Sequence, residues 1–206
     1  MVAGSILPVA FHKNKLYFLF GKENELADTP GWSDFGGGVN KNENPYDTAL
    51  REGSEELTGF LGDELLLKKH KIIHKILWNT YNVHIICIQY DDNLPKYFNN
   101  NHDFLWNRIN KRFLNKTKLF EKQEIQWFSI EDMKNKRNYF RTFYRNLVDI
   151  ILNDSNLIYI KVKQLNKNTQ KKYIKKHTFV KYNKLASFKK IKRLKNYIQT
   201  KKLHLK

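Results

Sequence analysis

The stretch Gly37–Gly59, GGVNKNENPYDTALREGSEELTG, constrains this chain more than any other. It sets three carboxylates, Glu52, Glu55 and Glu56, within one turn of a helix. Residues three and four apart are neighbours on a helix surface, so Glu52 faces both of the others. Like charges at that spacing destabilise a helix by roughly 0.2–0.5 kcal/mol per pair. Such a face is a poor choice for stability alone. Hard divalent cations take oxygen ligands, and Mg²⁺ commonly combines one or two carboxylates with substrate phosphates. The face therefore reads as a metal site acting on a phosphorylated compound; the plainer alternative is a solvated acidic face with an Arg51–Glu55 pair.

Local signals place these residues on a helix. Asn44 is a good N-cap, and Pro45 suits the first helical position. Asp47 lies in the first turn, where the helix dipole favours negative charge. Tyr46, Ala49, Leu50, Gly53 and Leu57 recur at helical spacing away from the glutamates. Thr58 and Gly59 end the helix, with Gly59 as a left-handed cap. Gly36, Gly37 and Gly38 allow a tight turn before it and a close approach of backbone carbonyls.

This segment resembles the signature box of the Nudix hydrolases. Gly37, Glu43, Arg51, Glu52, Glu55 and Glu56 fall in its register. Two positions depart from it. Gly53 stands where an apolar residue is usual, and Thr58 takes the place of the closing glycine, which comes one residue late at Gly59. The resemblance covers about Ser5–Leu152. It implies an α+β fold, a mixed sheet sandwiched between helices. It also implies hydrolysis of a nucleoside diphosphate linked to another group. Mg²⁺ or Mn²⁺ would be held by Glu52, Glu55 and Glu56 with the backbone carbonyl near Gly37. Glu43 and Arg51 would orient the helix. The general base would be Glu55 or Glu124, the latter in the run EIQWFSIEDM, with Glu121 a weaker choice. A base must lie within hydrogen-bond reach of the water it deprotonates.

The rest of the chain supplies strands and helices at matching places. Ile6–Phe11 and Leu16–Phe20 read as strands around the polar turn His12–Asn14. Trp32–Phe35 reads as a short strand, and Pro45–Leu57 as the box helix. Lys71–Leu77 and Val83–Tyr90 read as a hairpin around Asn79–Asn82. Asp91–Asn101, with Pro95 and its asparagines, reads as a polar loop, and Phe104–Leu114 as a helix. Asp91–Lys118 is longer than the resemblance requires; it is an insertion shaping a substrate pocket or a plain surface excursion. Glu124–Phe128 is a further strand, Ile130 opens a short helix, and Tyr139–Leu152 reads as a longer amphipathic one.

Trp32, Tyr90 and Trp127 are candidate platforms for base stacking, with core or rim packing the commoner use of such residues. His70 and His74 have the spacing of a helical metal pair, but Ile72 and Ile73 favour a strand there. The single cysteine, Cys87, rules out an internal disulfide and is expected as a buried structural thiol. No apolar run approaches the ~20 residues of a membrane-spanning helix. The start MVAGSILPVAFHKNK lacks the pattern of a secretory signal, so an intracellular setting is expected.

Charge is unevenly spread. Of 38 Lys and Arg, 17 lie in residues 155–206, which contain no Asp or Glu. The 21 basic and 20 acidic residues before them nearly cancel, so the tail carries almost all of the +18 net charge. Residues 1–154 are expected as the hydrolase domain and 155–206 as a basic, partly helical extension. Lys171, Lys172, Lys175, Lys176, Lys189, Lys190, Lys192 and Arg193 are its candidate polyanion contacts. Several lysines on phosphates give strong, salt-sensitive, sequence-independent binding. A small nucleotide derivative needs no such tail, whereas a capped RNA gains from one. The resemblance thus extends to the mRNA-decapping members of the family, known in eukaryotes and large DNA viruses. Two alternatives stay open. One is a small-molecule hydrolase for dinucleoside polyphosphates, nucleotide sugars or inositol pyrophosphates; the other is an RNA-binding module without catalysis.

Overall fold

The computed structural model describes residues 2–110, 113 and 120–167. The first compact unit spans Met1–Val162, and the second spans Lys163–Lys206. The eight basic candidates between Lys171 and Arg193 lie outside the described residues.

A mixed seven-stranded sheet organises the first unit. Strand β1 (Ala3–His12) turns into β2 (Lys15–Glu23) through Lys13 and Asn14, both at positive φ. That is the two-residue hairpin geometry that matches strand twist. β1 is the centre of the sheet. Its first half pairs antiparallel with β4 (Phe35–Gly38), its second half with β2. Its other edge runs parallel to β6 (Tyr81–Cys87). A strand covered on both faces reads as a continuous apolar run, as residues 6–11 do. Pro8 falls where neither antiparallel partner is paired, between Ile6–Phe35 and Val9–Phe18, so the ladder loses no donor there.

The sheet is completed by β3 (Trp32–Ser33), β5 (Ile72–Trp78) and β7 (Lys122–Ser129). β5 and β6 form the expected hairpin, and β7 lies against β2. Cys87 ends β6 half-buried rather than buried, and burial pushes its thiol pKa up. Helices cover both faces. On one side α1 (Pro45–Glu56), α2 (Glu64–Leu67) and α3 (Asn93–Trp106) share a core with Ile6, Leu19, Phe35, Ile125 and Trp127. On the other, Phe20 and Phe128 meet Phe140 and Trp32 edge-on. Tyr144, Leu147 and Ile151 close that side, from α5 (Arg145–Asn153) and the turn before it; α4 (Ile130–Asn135) follows β7. A final helix, α6 (155–167), buries Ile158 and Val162 within the first unit. The fold is α+β, a mixed sheet between helices.

Four segments differ from the sequence expectation. The expected loop Asp91–Asn101 is mostly helix α3. Its asparagines hid the pattern: Phe98 and His102 are buried, while the Asn99 amide accepts from Ile125 N–H (2.8 Å) and donates to Ile125 C=O (3.3 Å). A side chain thus caps a strand edge that would otherwise be bare. The helix expected over Phe104–Leu114 is the end of α3, which stops at Trp106; residues 111, 112 and 114 lie outside the described set. The long helix expected from Tyr139 begins at Arg145. Phe140 bridges Trp32, and Arg141 N–H donates to Trp32 C=O, so that backbone is committed to the sheet. Finally, Gly36–Gly38 form strand rather than a tight turn.

Candidate active site

The box helix is built as its caps dictate. Asn44 Oδ1 accepts from Tyr46 N–H (2.9 Å) and Asp47 N–H (3.0 Å), and Pro45 opens the first turn. Glycine lets α1 lie close on the sheet. A Cβ on Gly53 would fall 2.4 Å from Ile6 Cδ1, and one on Gly4 would fall 1.8 Å from the Pro45 carbonyl oxygen. The departure at Gly53 therefore seats the helix on β1. Thr58, where the box carries glycine, has φ +48°, and Gly59 has φ +74°. Two left-handed residues turn the chain where one would be usual.

Arg51 gathers the exposed side of the site. Its guanidinium grips Glu43 with two hydrogen bonds, Nε to Oε1 (2.9 Å) and Nη2 to Oε2 (3.1 Å). The same group donates from Nη1 to Glu52 Oε1 (2.8 Å) and Glu55 Oε2 (3.2 Å), and from Nη2 to Gly38 C=O (3.4 Å). Fork-to-fork pairs of this kind are the strong ones. Hydrogen bonds from Arg51, with help from Thr48 and the Asn40 N–H, hold the Glu43 carboxyl down at a pKa of about 2. The expected supporting pair thus lies together, and it ties α1 to the end of β4.

Glu56 turns inward. Its Oε2 accepts from Gly36 N–H (2.8 Å), and its Oε1 faces Lys122 Nζ (3.3 Å). Lys122 is 1% exposed, and also donates to Glu23 and to Ser33 Oγ (2.9 Å). Arg141 Nη1 donates to the same Glu23 oxygen (2.8 Å). Burial pushes the Glu56 carboxyl well above the usual range; Lys122 opposes this, while Glu23, Glu121 and Glu52 add to it. Burial alone would lower the Lys122 pKa, but Glu56 and Glu23 raise it, so the lysine is charged.

Among the described residues, no three His, Cys, Asp or Glu side chains form a ready metal cluster. Arg51 stands between Glu52 and Glu55, and Glu56 faces Lys122. The donor set still suits a hard cation, because every group is oxygen. Gly37 adds a cradle: a Cβ there would lie 2.5 Å from Glu52 Oε1, so only glycine lets strand and carboxylate come this close. Exposure separates the three glutamates. The Glu55 side chain is 47% exposed, against 8% for Glu52 and 5% for Glu56, so Glu55 is the one open to water.

The structure does not bring Glu124 to this cluster. Glu124 pairs across the strands with Lys22 (3.8 Å), on the sheet face of Phe20 and Phe128, away from α1. Strand alternation is the reason: Glu124 shares a face with Gln126 and Phe128, opposite Ile125 and Trp127, whereas a β-bulge at Lys22/Glu23 turns Lys122 to the α1 side with Gly21 and Glu23. Glu121, the other off-helix candidate, adds its charge to the rise of the Glu56 pKa.

Trp32 and Trp127 lie on opposite faces of the sheet and are both 7% exposed. Trp32 packs on Phe128; Trp127 packs on Tyr90 and donates its indole N–H to Asp91 C=O. They cannot sandwich one base between them. Tyr90 stacks on His12 with centroids 4.2 Å apart. His74 lies on β5 with Asp154 on Nε2 (2.8 Å) and Lys161 on Nδ1 (3.2 Å), so it forms no helical pair with His70.

Sequence reasoning missed Lys122, Glu23, Ser33 and Arg141. It also missed Asp34, which is buried and accepts from Ser5 Oγ (2.5 Å) and Tyr81 Oη (2.7 Å). No local signal marks them, because their partners come from distant strands.

No protein-family model matches the chain, and no curated protein matches it. Among solved structures it is similar to the Ap4A hydrolase of C. elegans in a binary complex. That likeness has 14% identity, covers 72% of this chain and 94% of the other, and has a TM-score of 0.45. A mutT/nudix family protein from Listeria innocua matches at 12% identity over 77% and 96%, with a TM-score of 0.47. A MutT protein from Methanosarcina mazei Go1 matches at 18% identity over 76% and 94%, with a TM-score of 0.41. No helix among the described residues is long and apolar enough to cross a membrane.

Proposed function

We propose that this chain is a Nudix-type pyrophosphohydrolase, dependent on Mg²⁺ or Mn²⁺, that cleaves a nucleoside diphosphate linkage. The observation that carries this reading is the Arg51 guanidinium. It joins three glutamates of the box, Glu43, Glu52 and Glu55, to the Gly38 carbonyl on one side of α1. A merely solvated helix face has no use for a buried Glu56, nor for a glycine strand pressed against Glu52.

Glu52, Glu55, Glu56 and the Gly37 carbonyl would hold the cation. When bound, it neutralises phosphate oxygens and makes a water more acidic. Glu43 and Arg51 fix the pitch of α1, so the carboxylates stay aimed at one place. Water attacks phosphorus, the anhydride P–O bond breaks, and the released phosphate group carries the electron pair away. Glu55 has the exposure to accept the water proton. Glu121, whose charge acts on Glu56, is the alternative.

For the substrate we propose the 5′ triphosphate bridge of a capped RNA. The support is charge: 17 Lys and Arg in residues 155–206 suit a polyanion and are superfluous for a small nucleotide. The test is release of label from cap-labelled RNA by the full chain with Mg²⁺ or Mn²⁺, with Glu55→Gln beside it. Release of a methylated guanosine diphosphate, reduced at least a hundredfold in the variant, is the expected result. Turnover confined to small diphosphate compounds would keep the hydrolase and discard the RNA substrate. No turnover of either kind by folded protein would discard the hydrolase.

A further inference from the structure

Lys122 is the one buried lysine among the described residues, and the fold makes room for it. The bulge at Lys22/Glu23 turns it toward α1. Gly21 clears a path for its stem: a Cβ there would lie 2.9 Å from both Lys122 Cγ and Cδ. An ammonium has three donors and no acceptor. Lys122 has three acceptors around it: Glu23, Ser33 Oγ and Glu56.

The charges show which partner depends on it. Glu23 already has a second cation, Arg141, and a hydroxyl, Ser33. Glu56 has only Lys122 as a cation partner, plus the neutral Gly36 N–H. One Glu56 oxygen thus accepts a hydrogen bond from β4, and the other forms an ion pair with the ammonium on β7. Each carboxylate oxygen has a second lone pair, so a ligand position remains on a carboxylate engaged at both oxygens.

We infer that Lys122 is a positioning residue for Glu56, fixing that carboxylate for use by the divalent cation. The inference rests on the metal-dependent reading above. It assigns Lys122 no contact with substrate.

The test is Mn²⁺ affinity, read from free Mn²⁺ by electron paramagnetic resonance on the full chain. Lys122→Met alone leaves two buried carboxylates facing one another, so the decisive variant is Lys122→Met with Glu23→Gln, which removes one charge of each sign. Thermal unfolding shows that the double variant is folded. The expected result is Mn²⁺ binding at least tenfold weaker than wild type. A folded double variant with wild-type affinity would overturn the inference and leave the metal reading standing. A wild type that binds no Mn²⁺ would overturn both. A second measurement needs no variant. The slowly exchanging ¹⁵N signal of a buried lysine ammonium should move on saturation with Mg²⁺, and a signal that stays put overturns the inference.

Discussion

Arg51 and Lys122 both serve glutamates of α1, but from opposite surroundings. Arg51 lies at the rim, 17% exposed, and spreads five donors over four partners close in sequence or space. Lys122 is sealed inside, with hydrogen bonds to Glu23 and Ser33 and an ion pair with Glu56. At the rim, water can replace a lost partner. Inside, a lost partner leaves an uncompensated charge, which costs far more than the pair was worth. The rim cation can therefore be remodelled, whereas the buried one is bound up with the fold itself.

The largest expected effect tests that contrast directly. Lys122→Met should lose about 3–5 kcal/mol of stability, the usual cost of breaking a buried ion pair from one side. Arg51→Met should lose only about 1–2 kcal/mol, because its bonds are charge-assisted but partly hydrated. Urea denaturation of both variants gives the two numbers. Equal losses would erase the distinction between rim and interior.

The two cations were also unequally legible. Arg51 sits one, four and eight residues from its acidic partners, so spacing on a helix nearly dictates the cluster. Lys122 and Glu23 lie 99 residues apart, and only a bulge brings them together. Alternation along β7 puts Glu124 and Lys122 on one face, away from α1, and the bulge alone turns Lys122 back toward the helix. The glycines tell a similar story. Gly36 and Gly37 looked like turn residues, yet they are strand, glycine because Ser5 and Glu52 press against them. The first two strands and the box helix were readable because hydrophobic runs and caps are local. Helix α3 was not, because its asparagines are spent on β7 rather than on a loop.

A buried acid with no cation in contact sharpens the comparison further. Burial raises the Asp34 carboxyl to about 6, against hydrogen bonds from Ser5 and Tyr81 and the more distant charge of Lys122. The folded state therefore keeps a proton that the unfolded chain has released between about pH 4 and 6. The contribution of this group to stability falls as pH rises through that window, by about 2 kcal/mol. Asp34→Asn cannot titrate, so its stability relative to wild type should rise by that amount from pH 4 to 6.5. Urea titrations across the range measure it. A constant difference between the two proteins would show that Asp34 is ionised throughout, as a carboxylate in contact with a cation would be.

The smallest effect concerns the end of the helix that carries the rim cluster. Thr58 is β-branched and adopts a left-handed backbone, a conformation that costs an L residue roughly 1–2 kcal/mol. Glycine adopts it freely but loses more entropy on folding, roughly 0.5–1 kcal/mol. Thr58→Gly should therefore stabilise the protein by about 0.5–1 kcal/mol, read as a higher midpoint in urea with an unchanged slope. Because Arg51 and Glu55 sit within two turns of that end, the same substitution asks whether the rim depends on how α1 terminates. A stability gain with unchanged Mn²⁺ affinity would mean that the Glu43–Arg51 fork alone sets the pitch of the helix. A change in affinity would mean that the strained Thr58 turn helps to aim the glutamates, and that the rim is less independent of its surroundings than its exposure implies.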